Sequence, residues 1–308
     1  MRSISFITKL IFSITFAAII GCSSPVSVDP ITPIYPVIDS YPAWSPSGQY
    51  IVYYHAGIQN VHLDGGYTID TDSLGLWITQ PDNNNPVQLL NNIISMINWS
   101  RDGKWLVYVS NYNIYKAPFS EEGIDSLDIE QLTHDHININ PTWSADDEWI
   151  YYDTNRADLG TYLYSIWKMK FDGTENQLVM RYGRQPHISQ NGETLLYQMS
   201  AGPDGDRYPE IFSMDLNTKI SVQLTHRKEY CRYPIMSPDC TKICFLSKGN
   251  LFVMNSNGSD QNILTKGGLA CWSPQNDQLC FIGTHGFLWL INLDGSDLKQ
   301  LTNGPIPE

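Results

Sequence analysis

The fold of this chain is decided by the stretch Pro141-Thr142-Trp143-Ser144-Ala145-Asp146-Asp147-Glu148-Trp149-Ile150-Tyr151-Tyr152, because versions of it recur along nearly the whole sequence. Six copies align on the position of Trp143, and they are anchored at Trp44, Trp99, Trp143, Ile188, Met236 and Trp272. The position seven residues further on is always apolar, and the position nine further on is always aromatic. Turn-forming tetrapeptides such as Ser45-Pro46-Ser47-Gly48 lie between the two apolar runs, so each copy predicts a β-hairpin.

Two more runs follow each hairpin. The first is apolar and aromatic, as in Ile166-Trp167-Lys168-Met169, and the second often has the form Gln-Leu-Thr, as in Gln131-Leu132-Thr133. Successive anchors lie 36 to 55 residues apart, and four strands at such a period are typical of a propeller blade. The sequence therefore predicts an all-β fold, a six-bladed β-propeller of four-stranded antiparallel blades over residues 41–304. The expected blades span residues 41–90, 97–133, 141–179, 186–225, 234–265 and 270–302.

The start of the chain has the features of an export signal. Positive charge at Arg2 and Lys9 precedes an apolar run from Leu10 to Ile20, which is shorter than the roughly 20 residues that a spanning helix needs. Ile19-Ile20-Gly21-Cys22 resembles the lipobox of bacterial lipoproteins. We therefore expect a lipoprotein signal peptide at residues 1–21, lipidation of Cys22, and a proline-containing tether at residues 22–40, part of which could instead form a strand along a blade edge.

Composition limits the partners. The net charge of −13 disfavours nucleic acid, whose phosphates require a basic surface. Beyond Cys22 the chain has five cysteines, an odd number, so at least one cannot pair within the chain. Cys271 and Cys280 fall opposite one another if the first two strands of blade six pair; whether they form a disulfide stays open, since strand pairing alone does not fix the Cβ geometry.

The repeat Pro-x-Trp-Ser-Pro-Asp-Gly-x-x-Ile-x-Tyr, followed by Ile-Trp-x-Met-x-x-Asp-Gly and Gln-Leu-Thr, resembles the propeller repeat of TolB and of the prolyl oligopeptidase propellers. The resemblance covers Tyr41 to Thr302 and implies the fold, while function depends on sites added to it. TolB proteins carry a small α/β domain before the propeller, for which we expect no counterpart here. The chain also contains no Gly-x-Ser-x-Gly motif of the kind that supplies the nucleophile in prolyl oligopeptidase relatives. The ring is expected to close by side-chain packing, without a shared strand.

The strand order of a meander predicts where binding residues gather. The turns between strands 1–2 and 3–4 share one face of the disc, here called the turn face. The 2–3 loops and the links between blades share the other, the loop-rich face, and long loops are expected there at residues 55–75, 153–165 and 198–210. The candidate partner-binding residues lie on this face: His134, His136, Arg184, His226, Arg227, Tyr230 and Arg232.

Two stretches of the sequence contain residues that metal ions can bind. Asp70-Thr71-Asp72-Ser73-Leu74-Gly75 begins like a calcium loop, but Leu74 stands where an oxygen ligand is required. His134 and His136, with His226 in a later link, are a conceivable metal site, although solvated histidines are far more common. We expect no metal and no cofactor.

Two functions fit these features. The first is a non-catalytic lipoprotein of the bacterial cell envelope, anchored to the membrane by lipid, which binds another envelope protein through the loop-rich face. The alternative is an enzyme or carbohydrate-binding protein that uses the central funnel, with His134, His136 and Arg184 among its contacts. An enzyme needs convergent polar groups in the funnel, whereas a scaffold needs a broad patch on the disc face.

Overall fold

The computed structural model describes residues 37–61, 67–82, 85–156, 164–200 and 208–303. They form six sheets, each made of four consecutive antiparallel strands. Blade one comprises β1 (Val37–Trp44), β2 (Ile51–Val61), β3 (Tyr67–Thr79) and β4 (Val87–Leu90). Blade two comprises β5 (Ser95–Trp99), β6 (Trp105–Ser110), β7 (Asn113–Pro118) and β8 (Glu130–Gln131), and blade three comprises β9 (Asn138–Trp143), β10 (Trp149–Thr154), β11 (Ser165–Lys170) and β12 (Gln177–Arg181).

The remaining three blades repeat the pattern. Blade four comprises β13 (Arg184–Ile188), β14 (Thr194–Ser200), β15 (Pro209–Asp215) and β16 (Ser221–Gln223). Blade five comprises β17 (Cys231–Met236), β18 (Lys242–Ser247), β19 (Asn250–Asn255) and β20 (Asn262–Lys266), and blade six comprises β21 (Ala270–Trp272), β22 (Gln278–Ile282), β23 (Leu288–Asn292) and β24 (Lys299–Gln300). Short 3-10 helices lie at Ser126–Asp128 and Thr284–Gly286.

The blades close into a ring. The innermost strands β1, β5, β9, β13, β17 and β21 contact one another in succession, and β21 contacts β1 again. No strand is shared between the first and last blades in the part of the chain that the structure describes. Instead, the Thr302 hydroxyl of blade six donates a hydrogen bond to the Asp39 carboxylate of blade one, 263 positions away. The six-bladed propeller prediction is confirmed.

The hydrophobic core is divided among the gaps between blades. The described buried apolar residues form six clusters, and each lies between two neighbouring blades. In β2, for example, Ile51 and Tyr53 pack against blade six, whereas Val52 packs against blade two. A strand buried on both faces needs apolar residues at consecutive positions, which explains the near-continuous apolar runs of the repeat.

The repeated Ser after each anchor closes the first turn of its blade. In blade three, Ser144 Oγ accepts from the Trp149 backbone N–H at 2.9 Å and donates to the Asp146 carboxylate at 2.5 Å. Asp146 in turn accepts from the Glu148 N–H at 3.1 Å. Ser accepts from the residue five further on in every blade. The repeated Ser, with the Asp or Asn that follows it in most blades, therefore stabilises the turn by hydrogen bonds, and we call this arrangement the turn clasp.

The Gln-Leu-Thr motif has a structural role as well. In blade four, Thr225 Oγ1 accepts from the Ile211 N–H at 2.9 Å, and Gln223 Nε2 donates to the Thr225 carbonyl at 2.7 Å. Leu224 is buried between them. Blades two and six repeat this arrangement. The motif thus fastens the outer strand to the third strand.

The first strand begins earlier than predicted in five blades. Residues 37–40, expected in the tether, belong to β1, and the other early starts are at residues 95, 138, 184 and 231. The reason is a β-bulge within each of these strands. A bulge adds one residue and shifts the alternation, so the residues before it do not continue the apolar pattern.

Candidate functional site

The loop-rich face carries the sequence-predicted binding residues, and they fall into three successive links. His134 and His136 lie between blades two and three, and Arg184 begins β13. Residues 226–230 connect blade four to blade five, and Arg232 is the second residue of β17. One expected long loop is different: β2 and β3 continue as a paired ribbon through the Ile58↔Ile69 pair, so residues 55–61 and 67–75 are strand. The cross-strand pairing of apolar side chains accounts for the extension.

The link between blades two and three is exposed and acidic at its centre. Asp135 contacts His136 Nε2 at 3.3 Å and Arg156 Nη2 at 3.6 Å, and the Arg156 guanidinium lies 4.9 Å from the Trp167 ring centroid. His134 is exposed beside them. Among the residues that the structure describes, no group of three or more His, Cys, Asp and Glu side chains is arranged to hold a metal ion.

Arg184 is tied to a buried carboxylate rather than to the histidines. Asp153, which is fully buried, accepts from Asn140 Nδ2 at 2.8 Å, from the Gln185 N–H at 3.3 Å and from Arg184 Nε at 3.4 Å. Arg184 also stacks on Tyr164, 3.9 Å from the ring centroid. Burial raises the pKa of Asp153 to about 6, although Arg184 and the hydrogen bonds oppose the rise. This network fixes the channel mouth between blades three and four.

The link between blades four and five is held by acidic residues. Arg227 lies 3.5 Å from Glu229 and 4.2 Å from the Phe252 ring centroid, while the Lys228 N–H donates to Glu210 at 2.7 Å. His226, Tyr230 and Arg232 remain exposed. The structure therefore separates the predicted residues: Arg184 and Arg227 make internal contacts, and these three side chains face solvent.

Sequence reasoning missed three tyrosines on the same face. Tyr112 lies in the turn between β6 and β7, Tyr182 in the link to blade four, and Tyr208 before β15. Tyr208 and Tyr230 make an edge contact with ring centroids 5.4 Å apart, and Tyr182, Tyr208 and Tyr230 are 49%, 42% and 50% exposed. Their position in links and 2–3 turns, outside the repeat pattern, was the signal that could have identified them.

The central channel has an unusual backbone. Five inner strands carry a residue in the left-handed region at the bulge, with φ between +52° and +54°: Tyr41, Met96, Asn140, Gln185 and Tyr233. All five line the central cavity. Such residues store strain of about 1–3 kcal/mol each and require support from their surroundings. The Gln185 amide supplies part of it, since its Oε1 accepts from the Tyr233 N–H at 2.7 Å.

The cavity has a volume of about 380 Å³ and reaches from this ring of bulges to the turn face. Its wall includes Trp44, Trp99 and Trp272 together with several prolines. The three tryptophans occupy anchor positions of the repeat. They pack between blades and also border the cavity, because the innermost strands lie at both places.

Comparison with solved structures identifies the architecture. A protein described as a candidate TolB from Agrobacterium tumefaciens superposes with a TM-score of 0.62 at 20% identity, over 72% of this chain and 85% of that one. TolB from Acinetobacter baumannii superposes with a TM-score of 0.65 at 18% identity, over 87% of this chain.

The chain has the TolB propeller fold. At this level of identity the likeness concerns the fold alone, and the chain spans 64% of the length of the Acinetobacter TolB. The same fold extends to oligogalacturonate lyase from Vibrio parahaemolyticus, with a TM-score of 0.55 at 11% identity over 90% of this chain and 81% of that one. No family model and no curated protein matches the sequence.

The expected export and anchoring residues lie outside the described part of the chain. Residues 1–21 and Cys22 are among them, and so is most of the expected tether. Within the described ranges, no helix is long and apolar enough to cross a membrane. Cys271 and Cys280 are paired directly across β21 and β22, as the hairpin predicted, and both are free thiols.

Proposed function

We propose that this TolB-type propeller is a protein-binding module whose loop-rich face contacts a partner in the bacterial envelope. The observation that carries the proposal is that half-exposed tyrosines and exposed basic side chains occupy the loop-rich side of blade four, in the links on either side of it and directly before β15. Tyr182, Tyr208 and Tyr230 lie there with His226 and Arg232. Tyr and Arg are enriched at protein interfaces, since each joins a large contact area to hydrogen-bonding groups.

The basic side chains on the loop-rich face favour a partner with an acidic or polar surface. The chain as a whole is strongly acidic, with a net charge of −13, yet His226, Lys228 and Arg232 are exposed together on this face. A local basic patch on an acidic protein selects the orientation of an approaching partner and lowers the repulsion there. The partner is therefore expected to have a groove that receives the exposed tyrosine rings, with carboxylates around it that pair with the basic side chains.

A photocrosslinking experiment in cells tests this surface. Benzoylphenylalanine replaces Tyr182 or Tyr230 on the loop-rich face, and Gln275 on the turn face is the matched exposed control. A crosslinked protein is expected from the first two positions and not from Gln275. Equal crosslinking from both faces would contradict the proposal.

The captured partner then permits a quantitative test. Tyr230→Ala and Arg232→Ala are expected to weaken its affinity by about tenfold to a hundredfold, because truncated aromatic and Arg anchors cost about 2 kcal/mol or more. Gln275→Ala should leave the dissociation constant unchanged. Loss of binding in all three variants would point to a fold defect rather than to an interface.

Membrane anchoring through Cys22 is part of the proposal. Its support is the sequence pattern described above, with an apolar run followed by Ile19-Ile20-Gly21-Cys22. Metabolic labelling with an alkyne fatty acid should modify the wild-type chain and not Cys22→Ser, and the variant should leave the membrane fraction. Labelling that persists in Cys22→Ser would reject this site.

The alternative, a ligand in the central funnel, has one supporting observation: the cavity of about 380 Å³ is bordered by tryptophans, whose rings can stack on sugars. In that case the crosslinks at Tyr182 and Tyr230 would capture no protein, while a glycan would co-purify with wild type and not with Trp44→Ala.

A further inference from the structure

Arg101 reaches across the channel at its turn-face end. It follows β5 in blade two, and its guanidinium donates from Nη1 to Gln190 Oε1 and from Nη2 to the Ile188 carbonyl, each at 2.7 Å. Both acceptors belong to blade four, so the side chain passes over blade three. A repeat position that elsewhere holds Pro46 or Pro238 here holds a cation beside the cavity.

Within the described residues, the guanidinium of Arg101 makes no direct ion pair, although the charge of Asp147 lies close enough to favour its cation. Within the described ranges, no Asp or Glu oxygen lies within ion-pair distance of Arg101, and its Nε is buried without a hydrogen-bond partner. A neighbouring carboxylate, that of Asp147, accepts instead from the backbone N–H groups of Arg101 and Asp102, at 2.7 and 2.9 Å. Burial lowers the pKa of Arg101 and the charge of Asp147 only partly opposes this, so an anion bound directly to the guanidinium would stabilise the cation further.

The cavity around Arg101 suits an apolar molecule with a single negative charge. Its described lining contains no Asp or Glu, and Arg101 is the one permanently charged side chain in that lining. His187 is beside it, and burial together with the charge of Arg101 lowers the pKa of His187 to about 3, so its imidazole is neutral at physiological pH. Most of the remaining wall is Pro, Trp, Tyr, Met and Ile, and uncharged polar side chains such as Asn98, Asn140 and Gln185 complete it.

We propose that the central channel binds a monocarboxylate with an aromatic or aliphatic body. The carboxylate pairs with the Arg101 guanidinium at the turn-face end, and the body lies against the tryptophans and prolines of the wall. One charged contact in a cavity whose other described lining residues carry no permanent charge favours a carboxylate over a phosphate, whose second charge would have no partner. This site lies at the opposite end of the channel from the loop-rich face, so it does not depend on the proposed protein partner.

Ligand-observed NMR and calorimetry with two probes of the same shape test the charge requirement. Phenylacetate should bind the full-length protein saturably with a dissociation constant on the order of 1 mM, a value expected for so small a ligand. Phenylacetamide, which is neutral, should bind at least about tenfold more weakly, because a hydrogen bond to a charged group contributes more. Equal binding of the two probes, or binding of neither, overturns the proposal.

Two variants locate the site. Gln190→Glu places a carboxylate where the Arg101 Nη1 acceptor already lies, and it should weaken phenylacetate binding at least about tenfold by neutralising the guanidinium. Gln275→Glu adds the same charge elsewhere on the turn face and should leave binding unchanged. Arg101→Met should abolish the difference between the probes; if it fails to fold, the pair of glutamate variants decides alone. If Gln190→Glu and Gln275→Glu bind phenylacetate with equal affinity, the site is not at Arg101.

Discussion

Replacing Asp153 by Asn should change how the stability of this protein depends on pH. Asp153 is fully buried, and burial raises the pKa of its carboxyl from 3.8 to about 6 in spite of Arg184 and the hydrogen bonds from Asn140 and Gln185. The folded state thus holds this proton more tightly than the unfolded state. As the pH falls through about 6, the folded protein takes up the proton first and gains stability, until the unfolded chain also becomes protonated near pH 3.8.

The magnitude follows from the two pKa values. The interval from 3.8 to about 6, at roughly 1.4 kcal/mol for each pH unit, corresponds to about 3 kcal/mol. At pH 4 part of the unfolded chain is still ionised at this position, so between pH 4 and pH 7.5 the ionisation of Asp153 lowers the free energy of unfolding by about 2.5 kcal/mol. Asp153→Asn cannot ionise, so this contribution disappears. The free energy of unfolding of the variant minus that of the wild type should therefore rise by about 2.5 kcal/mol between pH 4 and pH 7.5.

Urea unfolding of full-length protein, followed by tryptophan fluorescence at several pH values, measures that difference. The difference between variant and wild type cancels the contributions of groups that both proteins share, including His187. The low pKa of folded His187 acts in the opposite direction, because the protein loses stability as the pH falls below the pKa of this histidine in the unfolded chain. Asp172→Asn is the control: Asp172 is exposed, and hydrogen bonds from Thr174 lower its pKa. A flat difference for Asp153→Asn, or one that grows towards acid, would refute the reasoning.

Two further pairs of substitutions test the ring closure and the backbone. Thr302→Val leaves the Leu288 N–H and the buried Asp39 carboxylate without this partner and should cost about 2–3 kcal/mol, measured as the free energy of unfolding. Thr133→Val breaks the same motif inside blade two and should cost less; equal losses would mean that the closure adds nothing. Lys219→Gly should raise the free energy of unfolding by up to about 1 kcal/mol, because Lys219 has φ +62°. Gly295→Ala, at φ +84° with open space around it, should lower the free energy of unfolding by a similar amount. A change of the same sign in Lys219→Gly and Gly295→Ala would contradict the argument.

The candidate site was predictable in position but not in its contacts. Strand order alone placed Arg184, His226 and Arg232 on the loop-rich face, because a meander sends alternate turns to opposite ends of a blade. The buried partner of Arg184, Asp153, lies 31 residues away in the preceding blade, and no local pattern connects the two. The exposed Tyr182 was overlooked for a related reason: nothing in its neighbours shows whether a link packs inward or faces solvent.

The sequence by itself determined the number of blades, the four strands of each and the turns between them. Those properties depend on contacts between residues close in the chain: the apolar alternation, the Ser and Asp of the turn clasp, and the Gln-Leu-Thr fastening. They repeat, so each copy strengthens the interpretation of the others.

Only the tertiary structure decided what lines the central channel. The contact of Arg101 with Gln190 joins residues 89 positions apart, and that of Thr302 with Asp39 joins residues 263 apart. Both exist because six blades close at one radius, which brings the inner strands to a common axis. The position of Arg101 beside the channel and the contact of Asp153 with Arg184 follow from the packing of successive blades, which no single repeat encodes.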